Sequence, residues 1–322
     1  MSLRFTHETL PQRVVFAPHE VLPAEIARLG DRPLVIGDRS GLLPDASHFT
    51  EVAMHVPVEV AERARKAAHD ADVLVSIGGG STTGLAKAIA LTTGLPIVAV
   101  PTTYAGSEAT DVWGLTENGR KTTGSDRRVL PRTIVYDAAL TASLPLELGI
   151  ASGLNAVAHC VDSLWAPRAD PINRALALAG FHALTGGLPR LGEFAGREQT
   201  LYGAYLAAVA FASAGSGLHH KICHVLGGMY NLPHAQTHAV MLPHVLALNA
   251  AAAPEIPPAD LRQLLDRVDA PRALRDYGLR EADLPAAVDA ILAAVPPGNP
   301  VPVTTGNLTE LLRRAWAGQE PQ

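Results

Sequence analysis

The sequence predicts an α/β N-terminal domain, about residues 1–143, followed by an all-α C-terminal domain, residues 144–322. Three observations carry this. In the first half, short apolar runs that read as strands alternate with helically spaced runs. Several of those strands run into small, polar, glycine-rich text. From about residue 144 the strand-like runs stop, and helical stretches broken by Pro or Gly take over. Strands buried on both faces are near-continuously apolar, and their alternation with helices is the pattern of a parallel sheet covered on both sides.

Taken in order, RVVFA (13–17) reads as a short strand and PLVIGD (33–38) as a second, ending in an acidic residue. DVLVSIGGGS (72–81) is a third that runs into three glycines, and LPIVAVPTTYAGSE (95–108) is a fourth with a polar loop after it. RTIVYD (132–137) is a fifth. The stretches 57–71 and 84–94 have helical spacing. Ligands on such sheets sit at the carboxyl ends of the strands, and here those ends are followed by GD, GGGSTT and PTTYAGSE. After residue 144, LPLELGIASGLNAVAHCVDSLWAP, PINRALALAGFHALTGGLPRLGEF and the texts that follow are helical, with no good strand among them. The expected place for an active site is a cleft between the two domains.

The chain has 322 residues, enough for one large or two medium domains. It is 48% hydrophobic and 18% charged, a globular composition rather low in charge. A net charge of −5 without a basic block argues against nucleic acid, which needs clustered Lys and Arg. No stretch approaches a membrane span free of Gly, Pro or charge, and the first residues lack the apolar run of a signal peptide. No membrane partner is expected. The two cysteines, Cys160 and Cys223, make no disulfide framework and point to buried, reduced thiols in a cytoplasm.

Gly78-Gly79-Gly80-Ser81 follows a strand and opens a helix. Glycines let the backbone approach a phosphate, and the helix start offers free N–H groups and a positive dipole end. Ser81 could cap the helix or bind a phosphate oxygen. The spacing is not G-x-G-x-x-G, because Thr83 stands at the third position, and no Gly-Lys-Ser/Thr follows. A tight strand–helix turn is the plainer alternative. Asp38 ends an earlier strand, where a carboxylate accepts from ribose hydroxyls and repels a 2′-phosphate, or simply serves a turn. Thr102, Thr103 and Ser107 offer hydroxyls to a diphosphate or ribose. Lys121 could contact a ribose or an anionic substrate, or be a solvated loop lysine.

Asn155 and His159 are four apart on one helix face, as are His220 and His224. His234 follows across VLGGMYNLP, which breaks the helix. Two helices and a loop are therefore expected to bring several imidazoles to one point. His219, His238 and His244 are read individually as structural or supporting residues, with His244 packing at a helix start.

The segments GGGSTTGLAKAIAL, PIVAVPTTYAGSE, KTTG, SGLNAVAH, GLHHKICHVLGG and LPHAQTHAVMLPH resemble the iron-containing alcohol dehydrogenase family, and within it the maleylacetate reductase branch. The resemblance runs nearly the whole chain. It implies the dehydroquinate synthase-like, iron-containing alcohol dehydrogenase fold, with a dinucleotide-binding N-terminal domain, hydride transfer from NAD(P)H and a homodimer. It implies Gly79, Gly80 and Ser81 on the pyrophosphate, Asp38 at the adenosine ribose, and Thr102, Thr103 and Lys121 along the cofactor. Asn155, His159, His220 and His234 match the metal-ligand positions of metal-dependent members, and His224 matches a histidine near the nicotinamide.

Metal-binding members carry Asp where this chain has Asn155. Asn supplies only a carbonyl dipole to a divalent ion, so the reading is a reductase without a divalent metal, using NADH with NADPH as the alternative. Its substrate would be an unsaturated keto acid or another small carbonyl compound. The expected acid chemistry is protonated imidazole or lysine donors stabilising an oxyanion, with His159, His220, His224, His234 and Lys221 as the catalytic candidates.

The chain departs from the family in FAPHE, with Ala17 and His19 replacing glycines, in a stretch before MHVPVEV about a helix shorter, and in GNPVPVTTGN. The rival readings are a metal-dependent alcohol dehydrogenase or aldehyde reductase, a zinc- and NAD⁺-dependent lyase of the wider fold, and a non-catalytic cofactor-binding remnant.

Overall fold

The computed structural model describes residues 4–117 and 120–322, with the side chains of Ser40, Arg120 and Lys121 outside the described set. The chain divides into two compact units. One is Thr9–Leu144; the other is Pro145–Gln322 together with the N-terminal segment that ends at Glu8.

The first unit is a six-stranded sheet. Its strands are β1 (Arg13–Phe16), β2 (Pro33–Ile36), β3 (Ser47–Phe49), β4 (Val73–Gly78), β5 (Ile97–Pro101) and, after the hairpin β6 (Val112–Glu117) and β7 (Arg120–Ser125), β8 (Thr133–Tyr136). The order is β1-β8-β5-β4-β2-β3, and every pairing is parallel. Three helices accompany it: α1 (Leu22–Ile26), α2 (Val58–Ala67) and α3 (Gly80–Thr93).

Period-2 alternation splits the strand side chains between two cores. Leu34, Ile36 and Leu74 pack with Val60 of α2 and Leu85 and Ile89 of α3. Val35, Val73, Val75, Ile77, Val98 and Val100 pack on the other face with Leu22 and Ile26. The register sets Ile36 level with Ser76 and Gly78 level with Pro101. The turns after β2, β4 and β5 therefore leave the sheet at one edge. From β2 the chain goes outward to β3 and then returns to β4 on the other side, a topological switch at that edge.

The five predicted strands are all present, with β3 and the β6–β7 hairpin added to them. β3 has three residues and takes its place by pairing with β2, so no local periodicity announces it. The backbone of Lys121 lies in β7 and not in a loop, the setting that one of its alternative readings assumed.

The second unit is helical: α4 (Leu146–Ser163), α5 (Pro171–Gly187), α6 (Phe194–Ala214), α7 (Leu218–Tyr230), α8 (His234–Leu248), α9 (Pro258–Arg267), α10 (Leu284–Ala294) and α11 (Thr305–Ala317). No strand occurs in it among the described residues. α4 is its central element, buried almost without a break from Gly153 to Ser163. α7 ends where Asn231 takes a left-handed conformation (φ 52°), a conformation Asn tolerates at a helix C-terminus. His244 lies inside α8 beyond Pro243, not at a helix start as expected. No single helix among the described residues is long and apolar enough to cross a membrane. α6 and α7 meet the combined requirement of length and apolarity only as a pair bent by 95°.

Candidate functional site

Two groups of candidate residues are assembled, one in each unit. In the α/β unit the glycines do the shaping. Gly37 (φ 124°) and Gly78 (φ 158°) stand at the ends of β2 and β4. A Cβ on Gly37 would collide with the Ile77 carbonyl, and one on Gly78 with the Thr82 side chain. A Cβ on Gly79 would lie 3.0 Å from Thr103 Cγ2. Gly79 is the N-cap of α3, so Gly80 and Ser81 fall in its first turn and Ser81 does not cap.

Around this turn is a cavity of about 310 Å³, lined among others by Gly37, Asp38, Arg39, Gly79, Thr82 and Thr102. The structure thus brings Asp38, Gly79 and Thr102 together. The Asp38 side chain is 90% exposed, open to a ligand, with Arg39 beside it at 3.9 Å. Thr103 lies on the turn itself. Ser107 is further along the same segment, in a short 3-10 turn. Of Lys121 only the backbone is described, in β7; its side chain lies outside the described residues. The FAPHE turn is fastened rather than open: the His19 backbone N–H and Nδ1 both reach Asp137 Oδ2, at 2.9 and 2.8 Å.

In the helical unit the site is made of side chains. α4 supplies Asn155 and His159, α7 supplies His219, His220, Lys221 and His224, and α8 supplies His234 and His238. His234 is the first residue of α8, so three helices converge where two helices and a loop were expected. Asp162, on α4 and fully buried, fixes the start of α7. It accepts the backbone N–H groups of Gly217, His219 and His220 at 2.8, 3.3 and 3.3 Å, and the Trp165 indole N–H at 3.1 Å. A carboxylate at a helix N-terminus also complements the dipole there. Burial pushes the Asp162 carboxyl up, while the His219 ring and these N–H bonds pull it back. Its Oδ2 also lies 2.8 Å from His220 Nδ1. This contact sets the His220 ring and turns Nε2 away from Asp162.

From there the rings run in sequence. His159 stacks on His220 and Phe211, with centroids 4.9 and 4.7 Å apart. His220 lies 4.8 Å from His238, and His238 lies 4.3 Å from His234. His234 is 6.4 Å from His224 at the exposed end. His219 Nε2 and His238 Nδ1 share a 3.0 Å hydrogen bond. Asn155 Oδ1, His159 Nδ1, His219 Nδ1, His220 Nε2 and His238 Nε2 are buried without a hydrogen-bond partner. Buried polar atoms are seldom left so, and a cluster of them marks a place where a ligand completes the bonding.

Burial holds these imidazoles neutral. His159 is drawn down to about 3 by burial first and then by the charge of His234; His219 is drawn down to about 3, and His220 and His238 fall well below the ordinary range. This corrects the expectation of protonated imidazole donors at His159 and His220. Each offers one N–H and one lone pair instead. The two cysteines are free and buried, and burial pushes both thiols up, which disfavours the thiolate form.

The sequence reading placed His219 and His238 outside the chemistry. The structure sets both at the centre. Among the described residues, the three imidazoles whose nitrogens lie within 4.8 Å of one another are His219, His220 and His238. The signal was there: His234 and His238 form another i,i+4 pair. Asp162 and Arg39 were also missed. A lone acidic residue in apolar helical text, three residues beyond His159, was the clue to Asp162.

Comparison with known proteins adds the following. The family model described as "Iron-containing alcohol dehydrogenase" matches residues 11–138, and that described as "Fe-containing alcohol dehydrogenase family, C-terminal" matches residues 149–257. A maleylacetate reductase of Pseudomonas knackmussii is 43% identical, with 99% of each chain covered. An iron-containing alcohol dehydrogenase of Corynebacterium glutamicum has a solved structure that is 53% identical. It covers 100% of this chain and 99% of its own, with a TM-score of 0.96. The structure of a maleylacetate reductase from a Rhizobium strain is 39% identical over 99% of both chains, with a TM-score of 0.92.

Proposed function

The chain belongs to the iron-containing alcohol dehydrogenase family, and from that premise we propose that it is a nicotinamide-dependent reductase of maleylacetate or a closely similar unsaturated keto diacid. The α/β unit would take the dinucleotide, with Gly79, Gly80 and Ser81 on the pyrophosphate and Thr102 and Thr103 beside it. Asp38 favours NADH through the ribose hydroxyls. The neighbouring Arg39 is the group a 2′-phosphate would use, which keeps NADPH as the alternative cofactor.

The observation that carries the reading is the buried row of neutral imidazoles running out from Asn155 and His159, with His220 set by Asp162. Hydride added to one alkene carbon of such a substrate moves an electron pair onto the conjugated carbonyl oxygen, giving an enolate. A proton delivered to the other alkene carbon then gives the saturated keto diacid. An N–H of a neutral imidazole, already oriented, stabilises the enolate oxygen without reorganisation. His159 and His238 are the donors proposed for this; His220, whose Nδ1–H is taken by Asp162, presents a lone pair at Nε2 and holds the row of rings in place. Lys221, His224 and His234 lie at the more open end of the cluster and are the proposed partners of the carboxylates and of the incoming proton.

A second reading has its own support. Neutral imidazole is the form that binds metals, and an imidazole oriented by a carboxylate is the usual state of a metal-ligating histidine. Asn155 Oδ1, His159, His220 and His234 would hold a divalent ion in that case, and the ion would polarise the carbonyl as a Lewis acid. The donor set fits such an ion in kind but brings no negative charge.

Oxidation of NADH by the purified protein with maleylacetate, before and after exhaustive chelation, separates the two. Turnover that survives chelation supports the imidazole site; turnover lost with chelator and restored by added metal supports the second reading. Absence of turnover in both states removes this substrate. In the same assay, His220→Ala is expected to lower kcat by about a hundredfold with NADH affinity unchanged. Unchanged turnover in that variant removes the proposed role of the cluster.

A further inference from the structure

Lys87 takes no part in the chemistry proposed above, yet it is fully buried. It lies on α3, two turns beyond the glycine turn. Its ammonium donates to the carbonyl oxygens of Ser107, Thr110 and Val112 at 2.6, 2.8 and 2.8 Å, and to Thr110 Oγ1 at 3.0 Å. No carboxylate is among these acceptors. A buried ammonium is tolerated only where its N–H groups are met, and here three N–H groups face four oxygens.

All four oxygens belong to one segment, the chain between β5 and the start of β6. That segment also covers the glycine turn. Thr103 Cγ2 closes over Gly79, and Ala105 Cβ would lie 3.5 Å from a Cβ on Gly80. The same α3 carries the glycine turn at one end and Lys87 further along. Backbone pairing holds the near end of the segment, Thr102 N–H donating to the Gly78 carbonyl at 3.0 Å, and Lys87 ties its far end to the helix that the turn opens.

We propose that Lys87 is a positioning residue for the dinucleotide: its ammonium ties the 102–112 segment to α3 and so holds the hydroxyls of Thr102 and Thr103 against the glycine turn. The inference rests on the reading that this turn takes the cofactor. It adds a dependence on pH. A neutral amine has two N–H groups and a lone pair, which would face one of the oxygens, so loss of the proton loosens the segment. Burial draws Lys87 down to about 7, opposed by the negative charges of Glu108 and Asp111.

The other charged groups around α3 have partners of their own. Glu108 accepts from the Tyr136 hydroxyl at 2.8 Å and its carboxyl is pushed up by burial. Asp111 accepts from the Ser125 hydroxyl and lies 3.8 Å from Arg127. Arg65 of α2 donates to the Ala88 carbonyl, and Arg128 is paired with Asp126.

The test is NADH affinity, followed by the cofactor's fluorescence, for the wild-type protein, Lys87→Met and Asp111→Asn between about pH 6 and pH 9. Wild-type affinity is expected to weaken by about tenfold through this range, the loss of a charge-assisted clamp. Lys87→Met should be weaker by about tenfold at the acid end and insensitive to pH. Asp111→Asn removes a charge that raises Lys87, so its midpoint should move to lower pH. A merely structural lysine would lower stability in the methionine variant and leave the two pH profiles parallel, and parallel profiles overturn the proposal.

Amide exchange over residues 107–112 without cofactor, corrected for the intrinsic rate, is the second readout. Protection there should fall in Lys87→Met and fall with pH in the wild type. If the wild type does not bind NADH, the cofactor reading fails, while this exchange still decides whether Lys87 clamps the segment. If Lys87→Met does not fold, an unshifted exchange midpoint in Asp111→Asn overturns the proposal.

Discussion

In the α/β unit the candidate site is backbone, and in the helical unit it is side chain. Gly37, Gly78 and Gly79 create room by lacking a Cβ, and the first turn of α3 points free N–H groups into it. The strands that carry these turns are buried and apolar, so the groups that meet a ligand cost the fold little. In the helical unit Asn155, His159, His219, His220 and His238 sit inside the core, and each leaves a polar atom unbonded. That region gives up stability for its chemistry. Apart from the Lys87 clamp, the α/β site should therefore be insensitive to the charge state of its residues and intolerant of added volume, and the helical site the reverse.

The largest expected effect follows from the charge states. His159 and His219 are held to about 3 in the fold, and His220 and His238 lie well below the ordinary range. Unfolded, each takes a proton near pH 6.5. Below that pH the unfolded chain binds more protons than the folded one. Stability therefore falls as pH is lowered from about 6.5 towards 3. At pH 5 the loss is about 2 kcal/mol for each imidazole that stays neutral. The α/β unit has the opposite tendency. Burial raises Glu108, so protonation there favours the fold as pH is lowered. Amide exchange measured at pH 5 and pH 7 should show protection lost across α4, α7 and α8 while the β4 and β5 strands keep theirs. Equal losses in both units break the comparison.

Added volume probes the other half. Gly37→Ala places a methyl group against the Ile77 carbonyl at a φ of 124°, which an L-residue rarely adopts. A destabilisation of about 3 kcal/mol is expected, from backbone strain and overpacking together. Thermal unfolding would measure it, and NADH affinity should fall with it. The α4, α7 and α8 helices should keep their exchange protection in this variant.

The same contrast explains what could be read from the sequence. The sheet was legible because both its faces are buried: VLVSIG and IVAVP can be little else. The glycine turn was legible because its work is done by residue types with one purpose. β3 was not, since SHF is held as a strand only by its neighbour β2. The β6–β7 hairpin had a local signal in Asn118-Gly119, a dipeptide favoured in tight hairpins, between two segments of β character. In the helical unit the positions of the histidines were legible, but their charge was not. Spacing gives the face of a helix; it does not give burial, and burial decides whether an imidazole carries a proton at neutral pH. Asp162 escaped for the same reason, because its worth lies in the α7 backbone it meets in three dimensions.

Asn155→Asp gives the smallest and most informative effect. The residue is buried on α4, with Oδ1 unbonded and His159 one turn away. A carboxylate there would add one negative charge to a set of donors that has none. With a divalent ion the charge is attractive, and affinity should rise by about tenfold or more, read by isothermal titration with zinc or cobalt. Without an ion the same charge faces an enolate that is itself negative, so chelated enzyme should turn over more slowly than the wild type. It would also pull the neighbouring imidazoles back up from their lowered range, since an opposite charge favours their protonated form. The acid limb of stability should still begin at about pH 6.5, which the unfolded chain sets, but be shallower and end at a higher pH, because less of the protonation difference between folded and unfolded chains remains. Metal affinity and acid stability thus rise together while metal-free turnover falls. A variant that changes none of the three would mean that Asn155 stands apart from the histidines in function, however close it is in the helix.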